Sequence, residues 1–383
     1  MKIAFVIQDL FIQGAQYATA MIASGFAAAG HEVEVLVSRY HEDREREGKY
    51  TAFPLDARVR LTRLRHRKAR ENVLELRHYL KTADVDAVVS MQLTYTKALR
   101  LARMGLQRCP LVVHVEHALA GYDIFCNVLP TPRRFGWDWL KRWWYWSGFD
   151  RVLTVSARGK DDFCRMNGMY PPEHVYPVYN PVINADYERK RALPAQHPWL
   201  VDKSCFTFVT AGVMEDYKAQ IYLLEAMKML KDDGVRARLI LFGKGSYRPR
   251  FEKFIGENGL EDWISLPGHT AQLPAEMKAA DCFVLPSEME SFGIVLVEAL
   301  ACGLPVISTD APYGPREILA DGKYGTLVPV RDALALKNAM VAQMKKGKVA
   351  ADEESWRRYT LEAAVDRYVK GIALCDKLSD KLY

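Results

Sequence analysis

Two glutamates, Glu290 and Glu298, bracket the start of an apolar helix in the stretch SEMESFGIVLVEALACGLP, residues 287–305. The run Cys282–Pro286 reads as a buried strand entering it, and Gly303 and Pro305 are ordinary helix stop signals. The backbone N–H groups of Phe292, Gly293 and Ile294 then fall in the first turn, where a helix offers them no internal partner. Such a turn binds anions through those groups and the positive end of the helix dipole. Gly293 has no Cβ, so a phosphate can approach the backbone closely. Carboxylates beside a bound diphosphate suit sugar hydroxyls, which donate hydrogen bonds to them. The pattern fits a nucleotide-sugar site. On spacing alone it fits equally well a capped core helix with two incidental acids.

The elements that must position these residues alternate strand and helix. Lys2–Asp9 reads as a buried strand, Gln13–Gln16 as a turn, Tyr17–Ala29 as an Ala-rich helix and Glu32–Ser38 as a second strand, the opening of a parallel α/β sheet. Its single glycine, Gly14, is not the three-glycine dinucleotide fingerprint, which disfavours a dinucleotide oxidoreductase. Leu111–Val115 is a strand with Glu116 and His117 just past its carboxyl end, where α/β sites are built. His114, inside the strand, reads as a satisfied core histidine. Asp84-Val85-Asp86 has the look of a metal motif but sits before a strand, at the wrong end of the sheet.

At 383 residues the chain suffices for two domains with full cores. It has no apolar run of 18 residues, and its first residues enter a strand with no leader. Seven cysteines without a Cys-x-x-Cys pair argue for a reduced, cytoplasmic setting. A net charge of +6 permits anionic partners such as a nucleotide, a phospholipid or a lipid diphosphate, and does not call for nucleic acid. Two segments suit an anionic membrane surface. Residues 61–81 hold seven basic and two acidic side chains, and residues 131–149 hold five of the eight tryptophans with Arg133, Arg134, Lys141 and Arg142 among them. A solvated helix face and a core helix are the plainer readings of the two.

The stretch 287–305 resembles the Glu-x7-Glu signature of retaining glycosyltransferases of family 4. Glu290, Phe292, Gly293, Glu298, Ala299, Cys302, Gly303 and Pro305 all fall in that register, followed by Thr309-Asp310 and Gly314–Ile318. The resemblance implies an α/β GT-B fold: two facing Rossmann-like domains with parallel sheets, and a C-terminal helix crossing back to the first. The expected bounds are 1–181 with about 360–383 for the acceptor domain, 182–202 for a linker and 203–359 for the donor domain.

By the same resemblance Gly14 approaches donor phosphates, His117 lies near the transferred sugar, Gly243 and Lys244 form a nucleotide loop, and the backbone around Leu266 reads the base. Lys218, at the start of a helix over Ala219–Leu230, meets the diphosphate. Glu298 holds ribose hydroxyls and Glu290 sugar hydroxyls. The implied reaction moves a hexose, with retention, from a nucleotide-diphosphate sugar (UDP ahead of GDP) to a glycan or lipid-linked glycan acceptor in polysaccharide or lipopolysaccharide assembly. No metal and no cofactor beyond the donor is implied. The chain departs from the pattern at Val213, where the family carries a second phosphate-binding arginine, and at Gln13. A non-catalytic GT-B-like partner subunit is therefore the alternative, with Lys244 and Arg316 the cations that could stand in.

Overall fold

The computed structural model of the chain describes residues 1–10, 14–39, 55–116, 143–348 and 351–373. It divides into two units, Met1–Pro181 with Leu361–Tyr383, and Val182–Thr360.

In the first unit, seven parallel strands form one sheet: β1 (Lys2–Ile7), β2 (Glu32–Val37), β3 (Arg60–Arg63), β4 (Ala87–Ser90), β5 (Leu111–Glu116), β6 (Arg151–Thr154) and β7 (Val175–Pro177). Their order is β3-β2-β1-β4-β5-β6-β7. A parallel sheet is covered on both faces, so its strands are apolar throughout rather than alternating. β1 and β4 are accordingly buried almost end to end. The basic segment 61–81 resolves into the end of β3 and the helix Val73–Thr82, which turns Leu76 and Leu80 into the core. Its Arg77 caps the neighbouring helix Leu93–Arg103, donating to the carbonyls of Ala102 (3.0 Å) and Met104 (2.5 Å).

Of the tryptophan-rich segment, residues 131–142 lie outside the described residues. The remainder splits between the two readings: Tyr145, Trp146 and Phe149 are core, whereas Trp143 and Trp144 are each 42% exposed. The final helix, Leu361–Ala373, packs in this first unit. Leu361 and Val365 sit over Gly25 of the helix Gly14–Ala28, and Gly371 lies against Leu153 and Tyr176, contacts that a Cβ at either glycine would fill.

The second unit has six parallel strands: β8 (Thr207–Ala211), β9 (Arg238–Phe242), β10 (Ile264–Gly268), β11 (Cys282–Leu285), β12 (Val306–Thr309) and β13 (Thr326–Val328). Their order is β10-β9-β8-β11-β12-β13. Leu223, Met227 and Leu230 of the helix Gln220–Asp232 pack with Leu336 and Met340 of the helix Ala333–Lys346 on one face. Residues 182–202, expected as a linker, carry two helices of this unit, Ala185–Arg191 and Pro198–Val201. Asn184 and His197 cap them through their side chains, which is why Pro198 starts a helix there rather than only breaking one. Strand order reverses between β8 and β11. In an open α/β sheet the crevice beyond the carboxyl ends at such a reversal is the ligand position.

Candidate active site

The two loops that leave β8 and β11 meet at this reversal. Lys218 from the first donates to Glu290 Oε1 from the second, and Ser287 Oγ donates to the same oxygen at 3.0 Å. Both partners of the ion pair are largely withdrawn from solvent, with side-chain exposures of 18% and 9%. An ion pair held away from water keeps its geometry only if further bonds fix it; here Ser287, itself fully buried, supplies one. The other carboxylate oxygen, Oε2, takes no bond among the described residues. Glu290 thus presents one oriented acceptor oxygen, with its charge already balanced.

Lys218 lies just ahead of the helix, which starts one residue later than expected. It closes the 3-10 turn Asp216–Lys218, and the helix begins only at Gln220. Between them Ala219 adopts φ +49°, ψ +26°. A left-handed residue other than glycine costs about 1–2 kcal/mol, and such strain tends to collect at functional sites. Ala219→Gly should raise stability by about 1 kcal/mol net of the extra freedom of the unfolded chain, read as a higher midpoint in urea. A lowered midpoint would show that the turn is relaxed as it stands.

The loop after β11 is pressed into shape by the loop after β12. Glu290 and Tyr313 form an isolated parallel bridge, and the Gly314 N–H donates to the Glu290 carbonyl at 3.3 Å. Tyr313 is held at φ +74°, and a Cβ on Gly314 would overlap the backbone of Phe292. Thr309 Oγ1 donates to the Ser287 carbonyl from the same side. Phe292 is buried edge-on against Tyr359, with ring centroids 5.4 Å apart. Gly293 (φ +94°) is the N-cap of the helix Ile294–Ala301, a conformation that explains a glycine there. The N–H groups of Gly293 and Ile294 have no acceptor among the described residues. Donors so placed at the positive end of a helix suit an anion, and Lys218 is tied to Glu290, three residues before Gly293.

Glu298 lies one turn into that helix, half-buried. Burial pushes its carboxyl up to about 7, against the opposing pull of Lys190. Its carboxylate takes no protein hydrogen bond among the described residues. A carboxyl so placed, neither paired nor fully solvated, is poised to bind donors from a ligand.

Two family models match the chain, "Glycosyl transferases group 1" over residues 195–360 and "Glycosyltransferase Family 4" over residues 12–184. The chain belongs to the group 1 and family 4 glycosyltransferases. Among curated relatives, an alpha-D-kanosaminyltransferase of Streptomyces kanamyceticus is 29% identical over 184 residues, 46% of this chain and 47% of that one. A putative colanic acid biosynthesis glycosyltransferase, WcaL, of Salmonella typhimurium is 39% identical over 136 residues, 33% of each chain. The chain thus spans about half or less of the length of the curated relatives it matches. In fold it is similar to Anabaena Alr3699/HepE in complex with UDP and glucose, with a TM-score of 0.65 and 18% identity over 100% of this chain and 99% of that one. The GT-B expectation, two Rossmann-like parallel-sheet domains, holds.

In this chain the remaining expected site residues are placed unevenly. Gly243 (φ +141°) and Gly245 are required by a close approach between loops: a Cβ on either would strike the backbone of Gly212 or of Met214. Met214 N–H donates to the Lys244 carbonyl at 2.9 Å, and Glu215 holds the N–H and hydroxyl of Ser246. These contacts fasten the Gly243–Ser246 turn to the Lys218 loop. The Lys244 side chain is exposed and has no partner among the described residues. Of the two cations that could replace an arginine at Val213, Arg316 is engaged by Asp310 through Nε and Nη2 and by Asp321 through Nη1, leaving Lys244. Val213 itself is 46% exposed.

Leu266 falls where the β9–β10 ladder is interrupted between Ser265 and Gly268, and its carbonyl accepts from Arg248 at 2.9 Å. That carbonyl is therefore already bonded. Gly14 is the first residue of the helix Gly14–Ala28 rather than a turn residue before it. His117 lies outside the described residues. His114 is core, as its strand position suggests: Nδ1 is 2.9 Å from Thr96 Oγ1 and Nε2 is 3.2 Å from Glu116 Oε2. Asp84 and Asp86 bind Lys2, through its ammonium and its N–H respectively.

Proposed function

We propose that the chain is a retaining hexosyltransferase that takes its sugar from a nucleotide-diphosphate donor, UDP ahead of GDP, and passes it to a glycan or lipid-linked glycan in polysaccharide or lipopolysaccharide assembly. The observation that carries this reading is the convergence of Lys218, Glu290 Oε2 and the free Gly293 and Ile294 N–H groups at the strand-order reversal of the second unit. The colanic acid relative supports the setting, and the fold similarity to a protein holding UDP and glucose supports the donor.

The transition state of glycosyl transfer is oxocarbenium-like, with negative charge growing on the departing diphosphate. The anomeric C–O bond to the diphosphate breaks, the acceptor oxygen bonds to that carbon on the same face, and the acceptor proton passes to the leaving phosphate oxygen. Lys218 and the two N–H groups meet the growing charge, which is where preorganised donors act most strongly. They supply what a metal supplies elsewhere, so the proposal requires none. Glu290 Oε2 accepts from a sugar hydroxyl and Glu298 from the ribose. Incubation with UDP-hexoses and GDP-hexoses tests the reading. Nucleotide release with an axial donor giving an axial product supports it; inversion, or no release with any donor, contradicts it.

The acceptor reading includes an anionic membrane face at the cytoplasmic side. Trp143 and Trp144 are exposed, and the Arg100 guanidinium stacks on Trp144 at 4.6 Å, a pairing suited to a lipid headgroup region. The chain should sediment with phosphatidylglycerol vesicles at low salt and not with phosphatidylcholine vesicles. Equal behaviour with both would point to a soluble acceptor.

A further inference from the structure

The helix Ala185–Arg191 has no part in the chemistry described so far, yet two of its side chains reach the helix that bears Glu298. Tyr187 Oη donates to the main-chain carbonyl of Glu298 at 2.6 Å and lies 3.0 Å from Cys302 Sγ. Four residues on, Arg191 donates to the Ala301 carbonyl at 2.6 Å and is steadied by Glu188 at 2.5 Å. Residues 187, 190 and 191 share a helix face.

The last four carbonyls of a helix lack internal partners. In the helix Ile294–Ala301 the carbonyl of Glu298 accepts from Cys302 N–H, that of Ala299 from Cys302 and Leu304, and that of Leu300 from Gly303, so the Ala301 carbonyl depends on Arg191. A cation at this end also complements the dipole whose positive end faces the anion site. Tyr187, 5% exposed, adds a bond at the main chain of Glu298 itself.

We propose that Ala185–Arg191 is a positioning helix of the donor site, in which Tyr187 fixes the seat of Glu298 and Lys190, on the same helix face as Tyr187, adds a positive charge on that side. This rests on the reading of Glu298 as the ribose-binding residue. Lys190 is anchored on its own helix by Asp186 at 2.8 Å. It is the charge that opposes burial at Glu298. The helices Leu273–Ala279, Gly314–Ile318 and Glu354–Arg357 also pack on the helix Ile294–Ala301 and bring Glu276, Lys278, Arg316, Glu317, Glu354 and Arg357. None of these contributes to the shift at Glu298, whereas on the near side Tyr187 and Cys302 both feel its charge.

The test is calorimetric titration of the full chain with UDP and with GDP at pH 6, 7 and 8, alongside thermal melting, for Tyr187→Phe, Lys190→Met, Lys190→Arg and Glu298→Gln. Tyr187→Phe should weaken the nucleotide about tenfold. Lys190→Met should move the midpoint of the affinity–pH curve upward, and Lys190→Arg should restore it. If Tyr187→Phe melts lower but binds as the wild type, and Lys190→Met leaves the curve in place while Glu298→Gln weakens binding, the positioning role is wrong and the donor site stands. If Glu298→Gln also binds as the wild type, the reading of Glu298 fails and the inference falls with it. Lys190 is on the surface side of the contact, so its variants keep the test informative should Tyr187→Phe fail to fold.

Discussion

Lys218→Ala should lower kcat by about 100- to 1,000-fold while changing the donor KM far less. The ammonium meets a charge that grows as the diphosphate departs, so its contribution is larger in the transition state than in the bound ground state. Removal of one preorganised donor at such a site costs about that factor. The variant also leaves Glu290 without its cation, with Ser287 as its remaining hydrogen-bond donor. Loss of one member of a withdrawn ion pair destabilises the fold, so the rates must be read on protein shown by thermal melting to be folded. Glu290→Gln keeps the shape and the Ser287 contact, and separates the two effects. If kcat holds in folded Lys218→Ala, the lysine is a partner for Glu290 and no more.

Glu298→Gln should weaken donor binding by about 10- to 100-fold at pH 8, the worth of a hydrogen bond to a charged acceptor. The difference should shrink toward pH 6. The sign follows from the carboxyl being raised to about 7 by burial. Ribose hydroxyls donate to the carboxylate, so affinity in the wild type climbs as the proton leaves, through the upper part of the window.

Stability of the empty protein moves the other way. Between the ordinary value of 4.5 and about 7 the folded chain holds a proton that the unfolded chain has released. Stability then falls as pH rises across that window and levels above it. Glutamine carries no such cost, so the variant should melt higher than the wild type at pH 8 in the absence of nucleotide. A residue that lowers stability and raises affinity is what a binding site is expected to contain. A wild-type affinity flat from pH 6 to 8 would remove Glu298 from the site.

The parts of the site legible in the sequence are those set by local pattern. A glycine ahead of an apolar run, acids on either side of it and a glycine after the last turn specify the helix Ile294–Ala301 and its cap with little tertiary help. The strand runs were legible because burial on both faces leaves them apolar throughout. What was not legible depends on contacts between distant residues. Lys218 and Glu290 are 72 positions apart, and each was read as a ligand contact when their first contact is with each other. Ser287, which completes that pair, carries no local signal of that role. Gly243 and Lys244 are expected in a nucleotide loop, whereas the Gly212–Met214 loop already occupies the space that the missing Cβ atoms of Gly243 and Gly245 leave. Tyr187 and Lys190 sat in a presumed linker because Pro194 and His197-Pro198 suggested broken structure there. A clue was present in Asn184 followed by Asp186 and Glu188, an N-cap with acids in the first turn.

The most direct measurement is calorimetric titration of UDP and of GDP into the wild type and into Glu298→Ala. Tight binding of one nucleotide, lost in the variant, is the predicted result; it would establish the donor site and show that Val213 is tolerated with Lys244 as the cation in its stead. Binding of neither would contradict the account. It would favour a non-catalytic partner subunit, with Val213→Arg as the substitution to restore.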